Sequence, residues 1–173
     1  MPFVIVCPLS EVAASVSASG ASHLVSVIND DAPVVRPASI PPDNHLYLGI
    51  NDIVEPMDGL VLADDEHVQE LIDFVSGWDR RQPMVVHCYA GISRSTAAAF
   101  IALCVANPRR EERHIAARLR EAASFATPNA RMVALADRLL GRNGRMVAAI
   151  GEIGRGELAF EGVPFSLAVE DDG

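Results

Sequence analysis

Apolar and polar positions along the chain change period repeatedly, and each change marks an element. Near-continuous apolar runs at 3–9, 23–28 and 46–50, and the β-branched run at 83–86 leading into Cys88, read as buried strands. Helical spacing of apolar positions predicts helices over 10–18, with Ser10 as N-cap, over 66–78, and over 95–106, where Asn107-Pro108 stops it. Two more helices are expected at 110–124 and at 129–140, the second ended by Gly141. Asn29-Asp30-Asp31-Ala32-Pro33 is a turn, and 36–44, with three prolines, is an irregular loop.

This strand–helix alternation implies an α/β fold: a central, mostly parallel sheet flanked by helices, followed by a helical C-terminal half. The 95–106 segment is apolar nearly all round and is expected to be the central buried helix. Residues 1–140 read as the catalytic domain and 141–173 as an extension packed on it. The extension holds two glycine-rich stretches, 141–145 and 151–157, around a short helical run at 146–150, and ends in Val163-Pro164-Phe165-Ser166-Leu167 and an acidic tail. Its glycines resemble a dinucleotide fingerprint only superficially, because no strand precedes them and no acidic residue follows at the right distance.

The chemistry concentrates where the 83–86 strand runs into the 95–106 helix, across His87-Cys88-Tyr89-Ala90-Gly91-Ile92-Ser93-Arg94-Ser95. A loop joining a buried strand to a helix N-terminus binds oxyanions, because the helix dipole and the unpaired amides favour negative charge. The same field would stabilise a thiolate at Cys88 and make it a nucleophile. Arg94 supplies a planar fork for two phosphoryl oxygens, which a lysine cannot offer. Gly91 allows the turn that points amides inward, and Ser95 is placed to hydrogen-bond the sulfur as it departs from an intermediate.

Composition narrows the remaining classes. With 173 residues, half of them apolar, the chain can bury one ordinary core. A net charge of -9 argues against nucleic-acid and anionic-membrane partners. All 14 basic residues are arginine, which excludes a Walker-type loop with its obligatory lysine. Three scattered cysteines, Cys7, Cys88 and Cys104, fit a reducing, cytoplasmic compartment rather than a disulfide framework. No stretch approaches a membrane span, 3–6 is too short for a signal segment, and the histidines lack ligand spacing, so neither metal nor cofactor is expected. The sequence sets no oligomeric state.

The spacing Cys-x5-Arg-Ser, with His directly before Cys, resembles the signature of cysteine-dependent protein tyrosine phosphatases, and 90–95 is most similar to the dual-specificity subgroup. The likeness covers roughly residues 45–140 and extends to a group of small bacterial proteins predicted to be tyrosine phosphatases. It implies that Cys88 is the nucleophile and that Arg94 and the backbone of Tyr89, Ala90, Gly91, Ile92 and Ser93 bind phosphate. It also implies supporting roles for His87, Ser95 and Asn129, the last through the Pro128-Asn129 dipeptide that opens a helix in that family. The general acid implied is Asp52, in Asn51-Asp52 after a short strand. The interval from Asp52 to Cys88 exceeds the family's by a few residues, which leaves Asp58, in the extra segment, as the other candidate, with Asp64 and Asp65 nearby.

Three classes follow. The first is a phosphatase acting on phosphorylated proteins or small phosphomonoesters. The second is a rhodanese-like sulfurtransferase or an arsenate-reducing enzyme, and the third a catalytically silent phosphate-binding module. The Asn51-Asp52 segment favours the first over the second, and a retained nucleophile favours it over the third. The loop interior carries no basic side chain, which fits a singly phosphorylated side chain better than a highly charged inositol lipid.

Overall fold

In a computed structural model, residues 2–170 are described, so most of the expected acidic tail lies outside them. Four parallel strands, β1 (Phe3–Pro8), β2 (His23–Ile28), β3 (His45–Gly49) and β4 (Met84–Cys88), are joined by an antiparallel fifth, β5 (Phe165–Ala168), in the order β3-β2-β4-β1-β5. Side chains alternate across the sheet. Val4, Val6, Val25, Val27, Met84 and Val86 face the larger core, while Cys7, Leu24 and Val85 face a smaller one beneath α1 (Val12–Ser19). The remaining helices pack on the larger core: α2 (Asp65–Gly77), α3 (Arg94–Ala106), α4 (Glu112–Ala122), α5 (Ala130–Leu139) and α6 (Arg145–Ile153).

As its all-round apolarity predicts, α3 is the central helix: all but one of its residues are buried. Strand β4 lies between β2 and β1, with α3 following it. The chain therefore leaves the middle of the sheet at the carboxyl end of β4, where parallel α/β sheets open the crevice that takes ligands.

Two expectations are corrected. The first helix does not start at Ser10. A 3₁₀ turn at Leu9–Glu11 intervenes, Ser10 makes no cap, and its hydroxyl instead donates to the Glu161 carboxylate. The extension is also more ordered than its glycines suggest. Its helix runs well past 146–150, to Ile153, and Phe165–Ala168 pairs with β1 as the sheet's antiparallel edge.

Several caps fix the helices that surround the crevice. Asp64, one of the spare acids, caps α2 in a reciprocal box with His67, and Asp65 pairs with Arg138. Asn129 accepts from the Met132 amide and caps α5. From within α5, the buried Asp137 carboxylate accepts from the amides of Gly144, Met146 and Val147 and so starts α6.

Candidate active site

The loop leaving β4 folds tightly because Gly91 has φ +74° and touches the end of β1. A Cβ there would lie 2.8 Å from the Pro8 nitrogen and 2.9 Å from the Cys7 carbonyl carbon, so only glycine fits. Two carbonyls are tied outward: Leu9 N–H donates to Tyr89 O at 3.1 Å, and Gly162 N–H to Ala90 O at 2.8 Å. With these oxygens facing away, the peptide planes are free to turn their N–H groups toward the loop interior.

Inside the loop sits the Cys88 thiol, 2 % exposed as a residue. Its Sγ is 3.1 Å from Ser95 Oγ and accepts the Gly91 amide at 3.2 Å. Arg94 is buried at the first position of α3; its Nη1 donates to Ile50 O at 2.9 Å, which aims the guanidinium across the crevice. Its Nε is buried without a hydrogen-bond partner among the described residues, and the amides of Ala90, Ile92 and Ser93 have no protein acceptor there either. Buried donors left unpaired cost on the order of 1–3 kcal/mol each. Unpaired donors gathered at a helix N-terminus, one of them the buried Arg94 Nε, can take an oxyanion.

Beside this seat stands Asp52. Its Oδ1 accepts from Ser93 Oγ at 2.7 Å and from Asn129 Nδ2 at 2.9 Å, and Asn129 also donates to Ile53 O. The loop carrying Asp52 is closed at its base, because Asn51 exchanges backbone and side-chain hydrogen bonds with Val61. Asp58 is exposed farther along the same loop. The structure thus joins Asp52, Asn129, Ser93 and Arg94 in one contiguous set, whereas Asp64 and Asp65 are engaged at α2.

Below the loop, His87 is sealed from solvent. Its Nε2 lies 2.6 Å from Ser26 Oγ, which lies 2.8 Å from His45 Nε2, and its Nδ1 is 3.1 Å from the Cys88 carbonyl. Burial pushes the His87 ring down to about 4, against the Cys88 carbonyl contact that would raise it, so the neutral ring is the resident form at pH 7. Ser26 was not singled out from sequence. Its signal was present, as the one hydroxyl within the apolar strand 23–28.

The other two thiols are buried elsewhere: desolvation pushes Cys7 up to about 11 and Cys104 to about 12. Such thiols make poor nucleophiles and poor resolving partners. Among the described residues there is no cluster able to hold a metal ion, and no helix is long and apolar enough to cross a membrane. The larger surface clefts, such as one between α4 and α6 lined by Arg109, Arg145 and Glu152, share none of the crevice residues.

Residues 58–124, which contain the loop and α3, match the protein-tyrosine phosphatase family. The PTP-2 phosphatase of Cydia pomonella superposes with a TM-score of 0.61 at 18 % identity over 78 % of this chain and 84 % of its own. The human tyrosine phosphatase-like serine/threonine/tyrosine-interacting protein gives 0.61 at 21 % identity over 81 % and 92 %, and human DUSP28 gives 0.62 at 12 % over 81 % and 92 %. At such identities the likeness is one of fold. No curated protein is significantly similar in sequence.

Proposed function

We propose that this chain is a cysteine-dependent phosphatase of the protein-tyrosine phosphatase family, with a dual-specificity-like fold, and that it hydrolyses phosphotyrosine, with phosphoserine and phosphothreonine as further substrates, through a phosphocysteine on Cys88. The observation that carries the site assignment is the unpaired Arg94 Nε and the free loop amides, gathered around a sulfur that Ser95 and Gly91 already hold in place.

In this reading the Cys88 thiolate attacks phosphorus, a P–S bond forms, and the P–O ester bond breaks. Asp52 gives its proton to the departing oxygen. Arg94 and the amides of residues 89–94 hold the equatorial oxygens as charge spreads over them. Asp52, now a carboxylate, then takes a proton from water as the water attacks phosphorus. The P–S bond breaks, and the sulfur leaves as a thiolate that the Ser95 hydroxyl stabilises. His87 and Asn129 act at one remove, the first bracing the Cys88 carbonyl and the second holding Asp52. A reducing compartment, the cytoplasm, suits a thiolate enzyme with three free cysteines.

Turnover of p-nitrophenyl phosphate tests the assignment. Cys88→Ser should abolish hydrolysis while leaving orthovanadate binding measurable; near-wild-type turnover would overturn the role of Cys88. Asp52→Asn should slow hydrolysis by roughly 10²- to 10⁴-fold for phenyl phosphate, with a smaller loss for nitrophenyl phosphate, whose leaving group needs little protonation. Asp58→Asn should be nearly silent. The reverse ranking of the two aspartates would move the acid into the extra segment of the loop. Thiocyanate formation from thiosulfate and cyanide, without phosphate release, would replace the phosphatase by a sulfurtransferase.

A further inference from the structure

Beside the oxyanion loop lies a second cleft, of about 210 Å³, lined by Leu9, Ser10, Tyr89, Ala90, Phe160 and Glu161. Two of these residues belong to the loop itself, so whatever occupies the cleft lies next to the phosphate held over Cys88. The opposite wall comes from the C-terminal extension. That wall is fixed in place: Gly162 N–H donates to Ala90 O, Glu157 N–H to Ser124 O at 2.9 Å, and Gly156 N–H to Thr127 Oγ1 at 3.0 Å. A Cβ on Gly162 would meet the Phe125 ring at 2.6 Å and Gly91 O at 3.0 Å, so a side chain here would have to push the Phe125 ring aside.

A segment pinned this tightly nevertheless holds Phe160 fully in water, at 104 % exposure, and Tyr89 stands 65 % exposed across from it. Two aromatic rings and one carboxylate around a small cleft are the chemistry that recognises a cation with an apolar stem. The rings take the methylenes and the face of the charge, and Glu161 takes the donor. An aliphatic side chain would leave the Glu161 carboxylate with a neutral hydroxyl, that of Ser10, and no cation, and an acidic one would be repelled by it in a chain already at -9.

We propose that this cleft is a substrate subsite for an arginine or lysine side chain flanking the phosphorylated residue. The proposal rests on the phosphatase reading and deepens it: the substrate is a phosphoprotein segment with negative phosphate over Cys88 and positive charge between Phe160 and Glu161. Phe160 and Glu161 are then specificity residues supplied by the extension, outside the segment that matches the family.

Phosphotyrosine peptides of one sequence, with Arg, Ala or Glu scanned through the positions on either side of the phosphotyrosine, provide the test. At one position Arg should raise kcat/KM about fivefold over Ala, the gain of a single exposed cation–π and ion-pair contact, and Glu should fall below Ala. The preference should shrink in high salt. Phe160→Ala and Glu161→Gln should each remove it while p-nitrophenyl phosphate turnover stays at the wild-type rate, and Glu161→Arg should transfer it to Glu. A flat wild-type peptide series, or a preference that survives both substitutions, overturns the subsite even though nitrophenyl phosphate is hydrolysed. Loss of nitrophenyl phosphate turnover in the Phe160 and Glu161 variants also overturns it, by placing those residues in the general machinery. A wild-type protein that hydrolyses no phosphate ester overturns the phosphatase reading beneath it.

Discussion

A histidine sealed from water cannot be charged cheaply, and His87, beside Cys88, is such a residue. Its pKa of about 4 in the folded chain lies below the 6.5 of an exposed imidazole, with desolvation as the main cause and His45 and Arg94 adding repulsion. The unfolded chain therefore takes up the proton first as pH falls. Stability is fully present above about pH 6.5, declines as pH drops toward 4, and reaches a deficit of about 3 kcal/mol from this group alone. Urea unfolding between pH 7.5 and 5 should show that decline. His87→Asn, compared with its own stability at pH 7.5, should show a shallower slope, and equal slopes would mean that another group carries it. Ser26 makes the arrangement workable, because its hydroxyl satisfies the Nε2 that burial would otherwise strand.

At the level of elements, the least obvious dependence is that of α6 on a residue of α5. Asp137 accepts three amides at the entry to α6, at 2.7, 2.7 and 3.1 Å, and is itself buried. Asp137→Ala would strand all three donors and should cost about 2 kcal/mol, about 4–8 °C in Tm for a chain of this size. Asp137→Asn keeps one acceptor oxygen and should lose less; thermal denaturation of the two variants decides it. None of this is visible in sequence, since Asp137 meets its amides seven to ten positions on, across a turn. What local pattern does govern was legible. The runs at 23–28 and 95–106 appear as β2 and α3 with ends shifted by one residue or less, and Cys88 and Arg94 stand at the end of β4 and the start of α3 as the strand–loop–helix pattern predicts. The misread elements are those whose cause is tertiary. Ser10 had cap chemistry but was drawn to Glu161, and the four residues of β5 are too few for a period and owe their form to the free edge of β1. The resemblance alone implies Asp52, and its hydrogen bonds to Ser93 and Asn129 join positions 41 and 77 residues apart, beyond the reach of any local pattern.

On the scale of the whole molecule, β1 and β5 pair residues from opposite ends of the sequence, Phe3 opposite Ala168, whereas β2 and β3 pair neighbours, Leu24 opposite His45. Closing the first pair orders nearly the entire chain, and its return is a short four-residue edge strand. Such an edge is drawn from the least stable part of a structure, and it opens before the centre of the sheet does. Three residues before that edge is Gly162, whose amide holds the Ala90 carbonyl, so opening that spreads back from β5 past these ties would reach the Cys88 loop. Denaturant should therefore silence the protein before it unfolds it. The urea midpoint for loss of nitrophenyl phosphate hydrolysis should fall below the midpoint reported by fluorescence of the single buried Trp78, and coincident midpoints would show that the edge and the core come apart together. Between the two midpoints the protein would keep its core, report itself as native to most probes, and do no chemistry.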